Sequence, residues 1–270
     1  MPEVLRVMTF NVRGSRRGDG VNAWRNRSRL NVEVIRDAGP HLIGFQELQR
    51  GNLDVYRRRL PGYECVLGTG YENHRPYAFN AIFYDPRMLD PLERGGFWLS
   101  ETPQRRSRSW GSSHVRSANW VRFCLPDGSE FVHLNTHLDH RSGNARLKGA
   151  ELIVGKLGEI AGEDPVLLTG DFNCNPGSKT YRVFIAAGFT DAHRAAGNPT
   201  QNTFHRFRGE DFVPKRPEAE GRLDWILMRG GWTLHSCHVI RHSDPPLYPS
   251  DHYPVLTRIS LRWAERHTPC

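Results

Sequence analysis

Pro165–Pro176 reads PVLLTGDFNCNP, and the rest of the chain can be read outward from it. Val166, Leu167 and Leu168 form a short apolar run of the kind that makes a buried strand. The run stops at Thr169-Gly170 and presents Asp171, Phe172 and Asn173 before Pro176 and Gly177 turn the chain away. In extended backbone, residues i and i+2 share a face. Asp171 and Asn173 therefore point together, and Phe172 points oppositely into a core. Polar groups at a strand's end are held rigidly at a rim, where α/β proteins place their chemistry. The same pair also suits an Asx turn, bonding only its own backbone. The company this stretch keeps decides between the two readings.

On its N-terminal side, Glu130–Asn135 and Asn119–Leu125 flank Pro126-Asp127-Gly128, a hairpin signal. Between that hairpin and the central strand, Ala145–Ala161 has apolar residues at helical spacing. Further back, Leu5–Asn11 and Leu42–Phe45 read as strands, and Trp24–Ala38 as a helix stopped by Gly39-Pro40. A helix follows at Leu53–Leu60, with strands at Tyr63–Leu67 and Ala81–Tyr84. On the C-terminal side, Ser178 caps a helix closed by Gly188. Arg222–Met228 and Trp232–Ile240 read as a hairpin over Gly230-Gly231, and Val255–Leu261 is the last strand. Strands in hairpins interspersed with about four helices predict an α/β fold: two mixed β-sheets packed as a sandwich, with helices on the outer faces, four layers in all.

Composition bounds the possibilities. The 270 residues contain no low-complexity linker, repeat or long run of like charge, so 1–270 is read as one domain. The N-terminus lacks an extended apolar segment, and no stretch approaches the roughly 18 apolar residues of a membrane span, so the expectation is a cytoplasmic protein. The five cysteines are scattered without a CxxC pair, which argues against a disulfide framework or a zinc knot and for a reducing compartment. The net charge of +8 is carried mostly by arginine, whose planar fork suits phosphate, so a polyanion such as nucleic acid is an expected partner. No obligate protein partner is evident.

A polar residue recurs at strand ends: Asn11, Glu47, His137, Asp171 with Asn173, Asp224, and Asp251-His252. Each alone is an ordinary loop residue. If the sheets gather these ends at one rim, the carboxylates, amide and histidines suit a hard, oxygen-liking cation. At this point the chain resembles the endonuclease/exonuclease/phosphatase superfamily of metal-dependent phosphoesterases, including deoxyribonuclease, abasic-site nuclease and nocturnin relatives. Six pieces carry the resemblance, in the family's order and over nearly the whole chain. They are Thr9-Phe10-Asn11-Val12, Gln46-Glu47, Thr136-His137, Gly170-Asp171-Phe172-Asn173, Leu223-Asp224-Trp225-Ile226 and Ser250-Asp251-His252.

The resemblance implies a divalent-metal-dependent phosphoester hydrolase, a phosphodiesterase or nuclease. The alternative is a phosphatase or phosphodiesterase acting on small phosphorylated molecules such as nucleotides or inositol phosphates. Glu47 is implied as the principal Mg2+ or Mn2+ ligand, assisted by Asn11 and Asp251. Asp171 is implied to activate the attacking water, with Asn173 donating to the phosphate. His252 is implied as a protonated donor sustained by Asp224, His137 as a second histidine on the phosphate, and Arg116 as a further phosphate contact. In relatives a carboxylate orients the counterpart of His137; here the stretch Tyr77–Tyr84 reads YAFNAIFY, leaving only Asn80 for that role. Substrate choice is expected in the loops Arg13–Ala23, Tyr71–Ala78, Ser100–Arg116 and Gly197–Gly221.

Two rivals come from other chemistry. Asn135–His140, read NTHLDH, nearly matches the HxHxDH run of zinc hydrolases, but with Asn135 where the first histidine belongs. A basic, non-catalytic nucleic-acid-binding module would also explain the charge. Neither accounts for GDFN together with SDH.

Overall fold

The computed structural model describes residues 3–69, 78–215 and 221–261. The expected specificity loop at 71–78 therefore lies outside the described residues except for Ala78. So do residues 216–220 of the second polar loop, Tyr77 and Trp263.

In chain order the elements are β1 (Leu5–Asn11), α1 (Trp24–Ala38), β2 (Leu42–Leu48), α2 (Arg50–Arg59), β3 (Glu64–Val66), β4 (Phe79–Tyr84), β5 (Asp90–Trp98), β6 (Ser117–Cys124), β7 (Glu130–His137), α3 (Gly143–Ala161), β8 (Val166–Asp171), α4 (Lys179–Ala186), β9 (Thr190–Asp191), α5 (Ala192–Ala195), β10 (Asp224–Arg229), β11 (Trp232–Val239) and β12 (Val255–Leu261). They form two six-stranded sheets, β11-β12-β1-β2-β4-β3 and β5-β6-β7-β8-β10-β9, hereafter the first and second sheets.

Both sheets are built on the same plan. Each has one parallel pair at its centre, β1 with β2 and β7 with β8, joined by the crossover helices α1 and α3. Each pair is flanked by antiparallel neighbours, β12 beside β1 and β10 beside β8. The C-terminal ends of the parallel strands and the N-terminal ends of β10 and β12 thus come to one side of each sheet.

Period-two alternation separates three apolar layers. Val7, Leu42, Val121, Phe131 and Leu167 face the space between the sheets. Met8, Phe10, Ile43 and Phe45 face Ile35 of α1 and Tyr56 of α2. Leu134, Val166, Leu168 and Phe172 face Ile153 and Leu157 of α3 and Phe184 of α4. Helix, sheet, sheet and helix are therefore stacked as the sequence predicts. The helix ends also follow local chemistry: Ser142 and Ser178 accept from the amides of Ala145 and Tyr181 at 3.1 Å each.

A polar layer ties the sheets together just below the strand ends. The Asn135 amide donates to the carbonyls of Phe45 at 2.8 Å and Ala81 at 3.0 Å, and its Oδ1 accepts from Gln46 Nε2 at 2.7 Å and Thr169 Oγ1 at 3.2 Å. His133 and Thr169 extend this network at 2.8 Å. Gly44 permits the approach, since a Cβ there would lie 2.1 Å from Thr169 Oγ1 and 2.7 Å from Asn135 Oδ1. Asn135, which stands where a zinc hydrolase has histidine, is a fully buried cross-sheet bolt.

Two expectations, the hairpin over Gly230-Gly231 and the cysteines, need correction, and one strand, β5, is additional to those expected. Arg222–Met228 and Trp232–Ile240 do not pair as a hairpin: β10 joins the second sheet and β11 the first, so Gly230-Gly231 carries the chain between sheets. A Gly-Gly turn is the same local signal whether the strands it joins pair or part. β5 extends back to Asp90 through DPLERGG, a run of strand-poor residues tolerated because it is a largely exposed edge. Cys124 is disulfide-bonded, whereas Cys65, Cys174 and Cys237 are free thiols, so the chain is not thiol throughout. No described helix is long and apolar enough to cross a membrane.

Candidate active site

Register alone assembles half of the site. His137 ends β7, Asp171 ends β8 and Asp224 begins β10. Pairing sets His137 opposite Asp171 and Asp171 opposite Asp224, so the three lie in one row across the second sheet. Gly170 lets β8 approach β7 here, for a Cβ would meet the Thr136 carbonyl at 2.6 Å. Beyond the strand, Asn173 adopts a left-handed conformation (φ 51°), donates its amide N–H to Asp171 Oδ1 at 2.9 Å and its side chain to the Leu138 carbonyl at 3.0 Å. The Asx turn and the shared rim are thus one structure: the turn fixes one oxygen of Asp171 and leaves Oδ2 facing the cleft. Phe172 points away and stacks on Trp225 with centroids 4.3 Å apart.

The first sheet supplies the other half. Asn11 ends β1, and its Nδ2 donates to Asp171 Oδ2 at 2.9 Å and lies 3.5 Å from Glu47 Oε1. Glu47 sits where the β2–β4 register slips between Phe45 and Leu48, in a left-handed conformation (φ 56°) that is uncommon for glutamate. Bulges of this kind re-aim side chains beside active sites. Ser250 Oγ donates to the Asn11 carbonyl at 2.7 Å, which draws Asp251 and His252 to the same rim. His252 then crosses to the second sheet, its Nδ1 lying 2.8 Å from Asp224 Oδ2 and its Nε2 3.8 Å from Asp171 Oδ2.

Arginines compensate the carboxylates. Arg16 pairs with Glu47 Oε2 at 2.8 Å, and Arg13 lies 3.3 Å from Asp251 Oδ2. Arg27 is fully buried and donates to the carbonyls of Val12, Gly14, Asn22 and Pro249, tying the loop after β1 to the segment before β12. Beside Glu47 and His137 opens a cavity of ≈210 Å3 whose walls include Asn80, Trp98, Arg106, His114 and Arg116. The Arg116 Nε is buried and has no hydrogen-bond partner among the described residues.

The electrostatics divide the titratable groups into distinct states. Burial opposes charge on His252, but Asp224, then Asp171 and Asp251, outweigh it and push the imidazole up to about 10. His137 goes the other way. Burial, then Arg116 and His252, hold it well below the usual range, so it is neutral. Burial raises Asp171 to about 7, with His252 pulling against it and Asp224 adding to it. Burial also pushes Glu47 up, but Arg16 and then Arg13 prevail and keep it below its ordinary value. Burial raises Asp251, against the pull of His252 and Arg13.

The structure therefore brings together Asn11, Glu47, His137, Asp171, Asn173, Asp224, Asp251, His252 and Arg116. It does not join His137 to the Asn80 side chain. Asn80 Nδ2 donates to the Ser117 carbonyl at 3.0 Å, and the group near His137 Nε2 is Asp171 Oδ2 at 3.3 Å. Asp224 begins a strand of the second sheet and is not part of a hairpin with β11. No local pattern singles out Arg13 and Arg16, or Arg106 and His114, although their loops, Arg13–Ala23 and Ser100–Arg116, are among those expected to set substrate choice. Glu47 and Asp251 offer carboxylate oxygens, and Asn11 an amide oxygen that accepts from Arg13 N at 3.0 Å and keeps a second lone pair. This is a hard, oxygen-only donor set beside two guanidiniums, and it fits a divalent cation of the hard class.

The model of the Endonuclease/Exonuclease/phosphatase family matches residues 8–252. The chain belongs to this family of phosphoester hydrolases. Among solved structures it is similar to a family protein of Bacteroides thetaiotaomicron, with 28% identity, a TM-score of 0.85, and coverage of 97% of this chain and 100% of that one. It is equally similar to the mannosyl-6-phosphatase of Bacteroides thetaiotaomicron VPI-5482, at 28% identity and a TM-score of 0.84, covering 95% of this chain and 100% of that one. Nocturnin of Xenopus laevis is 22% identical over 269 residues, which cover 91% of this chain and 64% of nocturnin. A mimivirus protein 24% identical over 210 residues is covered over only 30% of its length and 63% of this chain.

Proposed function

We propose that this member of the family hydrolyses compact phosphorylated molecules with Mg2+ or Mn2+ bound at Glu47, Asp251 and the Asn11 amide oxygen. When bound, the cation would neutralise charge on a phosphate oxygen and stabilise the charge that develops in the transition state. Asp171 Oδ2 accepts the proton of the attacking water, held in place by the Asn11 amide and the Asn173 turn. A carboxyl near 7 is matched to that task at neutral pH. His252, kept protonated by Asp224, donates from Nε2 to the phosphate. Arg116 adds a charged fork from the cavity wall. His137, neutral and beside Asp171, orients the base and lines the path of the leaving group.

The single observation that supports this reading is the meeting of the two sheets at their strand ends, where Asn11 bridges Glu47 and Asp171, His252 bridges Asp171 and Asp224, and Glu47, His137 and Arg116 line the adjoining cavity. The preference for a compact substrate rests on the cavity, which is smaller than the roughly 300–1,000 Å3 of ordinary ligand pockets. It also rests on the likeness to a mannosyl-6-phosphatase along almost the whole chain. A specific observation favours a nuclease as the second reading: the net charge of +8, mostly arginine, suits a polyanion.

A substrate panel separates the two. With Mg2+ and separately Mn2+, we expect kcat/KM for sugar phosphates, nucleotides and inositol phosphates to exceed that for single- and double-stranded DNA, abasic DNA and RNA. Turnover confined to the nucleic acids would replace the first reading with the second. Turnover restored to stripped protein by Zn2+ alone would overturn the metal assignment.

A further inference from the structure

Asp139 and His140 follow the catalytic strand β7 but take no part in the cluster described above. Asp139 is buried and acts as a loop organiser. Its Oδ1 accepts from the amides of Arg141 at 3.0 Å and Ser142 at 2.7 Å. Its Oδ2 accepts from Ser113 N at 2.8 Å, Ser113 Oγ at 2.6 Å, Ser112 Oγ at 3.0 Å and His114 N at 3.3 Å. These bonds fold the Ser112–His114 segment onto the loop after β7 and carry His114 to His140, with ring centroids 5.2 Å apart.

The Ser113 hydroxyl sits at the centre of this arrangement. It lies 3.0 Å from His114 Nδ1, 3.3 Å from His140 Nδ1 and 2.6 Å from Asp139 Oδ2. One hydroxyl carries one proton, and the shortest contact commits it to Asp139. The two imidazole nitrogens then converge on an oxygen that has no proton left to give them. One donor atom each from His114, Asp139 and His140 lie within 4.8 Å of one another.

We propose that His114, His140 and Asp139 form a second, transition-metal site that takes Zn2+, with the Ser113 hydroxyl giving up the central position. Two imidazoles and a carboxylate with an open fourth position are a zinc donor set, whereas Mg2+ seeks oxygen alone. Both histidines are exposed, so the ion has an entry path and the rings are free to close to the Zn–N distance of about 2.0–2.1 Å. The buried Asp139 is already fixed by its loop, as a preorganised ligand must be. The Asp-His half of the zinc-like run Asn135–His140 thus finds its missing histidine in His114, from a different loop, rather than at Asn135. An ion here would pin the segment leading to Arg116 and stiffen the cavity wall.

The test is a chelator-competition titration of tag-free protein with Zn2+ in millimolar Mg2+, paralleled by the visible absorption of Co2+ bound in its place. We expect one equivalent to bind, with His114→Ala and His140→Ala each weakening it by more than about tenfold and removing the Co2+ spectrum, whereas Glu47→Gln leaves both unchanged. Circular dichroism confirms that the variants fold. The proposal is overturned by absence of binding, by binding indifferent to both histidine variants, or by binding lost in Glu47→Gln, which would place the ion at the catalytic carboxylates. Absence of binding, or binding indifferent to both histidine variants, leaves the proposed phosphoester hydrolysis standing, since that rests on Glu47, Asp171 and His252.

Discussion

The two sheets repeat one plan, a parallel pair with a crossover helix, yet their working ends carry opposite chemistry. The first sheet presents Asn11, Glu47 and Asp251, an oxygen-rich edge compensated by Arg13 and Arg16. The second presents the row His137, Asp171 and Asp224, in which burial drives His137 down and Asp171 up. On the proposed reading, one edge would hold a cation and the other would move a proton. The difference teaches that the site is a property of the sandwich and of neither sheet: Asn11 and His252 reach across at the rim, one to Asp171 and the other to Asp224.

That division can be broken at its strongest point first. Asp171→Ala removes the base and should lower kcat by about 10²–10³-fold without unfolding the protein or moving the metal concentration for half-activation. Glu47→Ala should cost about 10²-fold and, unlike the first variant, raise that metal concentration; steady-state kinetics across a Mn2+ titration distinguishes the two. If both variants shifted the metal midpoint equally, the edges would not be chemically separate.

The pH profile sharpens the contrast within the second edge. Asp171 must be ionised, so kcat should rise as pH passes about 7. His252 must be protonated, so it should fall as pH passes about 10. Asp224 raises both groups, so Asp224→Asn should move both limbs to lower pH, and a profile unmoved by this variant would remove Asp224 from the network. The smallest effect on chemistry should come from Asn135→Ala. This variant deletes the cross-sheet bolt, with an expected cost of about 3 kcal/mol read from urea midpoints and little change in pH limbs.

Much of this was legible in the sequence because the strands carry their own evidence. Leu5–Asn11 and Trp24–Ala38 are bounded as their apolar spacing and Gly39 dictate. The polar residue after each apolar run identified the rim, since a strand fixes where its last side chain points. What was not legible depends on partners distant in sequence. Glu47 turns into the cleft through a bulge and a left-handed backbone that glutamate does not favour by itself, so its neighbours in β4, Asn11 and its charge partners hold it there. β10 and β11 part company because each finds a better neighbour than the other. Arg27 satisfies four carbonyls from two segments far apart in sequence, which no spacing announces.

Gly44, with no side chain where Thr169 and Asn135 of the other sheet approach it, lets the sheets close to a spacing at which Asn11 reaches Asp171. Catalytic competence then has its own melting behaviour: mild warming that slackens this joint would uncouple cation grip from water activation while both sheets still register as folded, and heat inactivation would run ahead of unfolding.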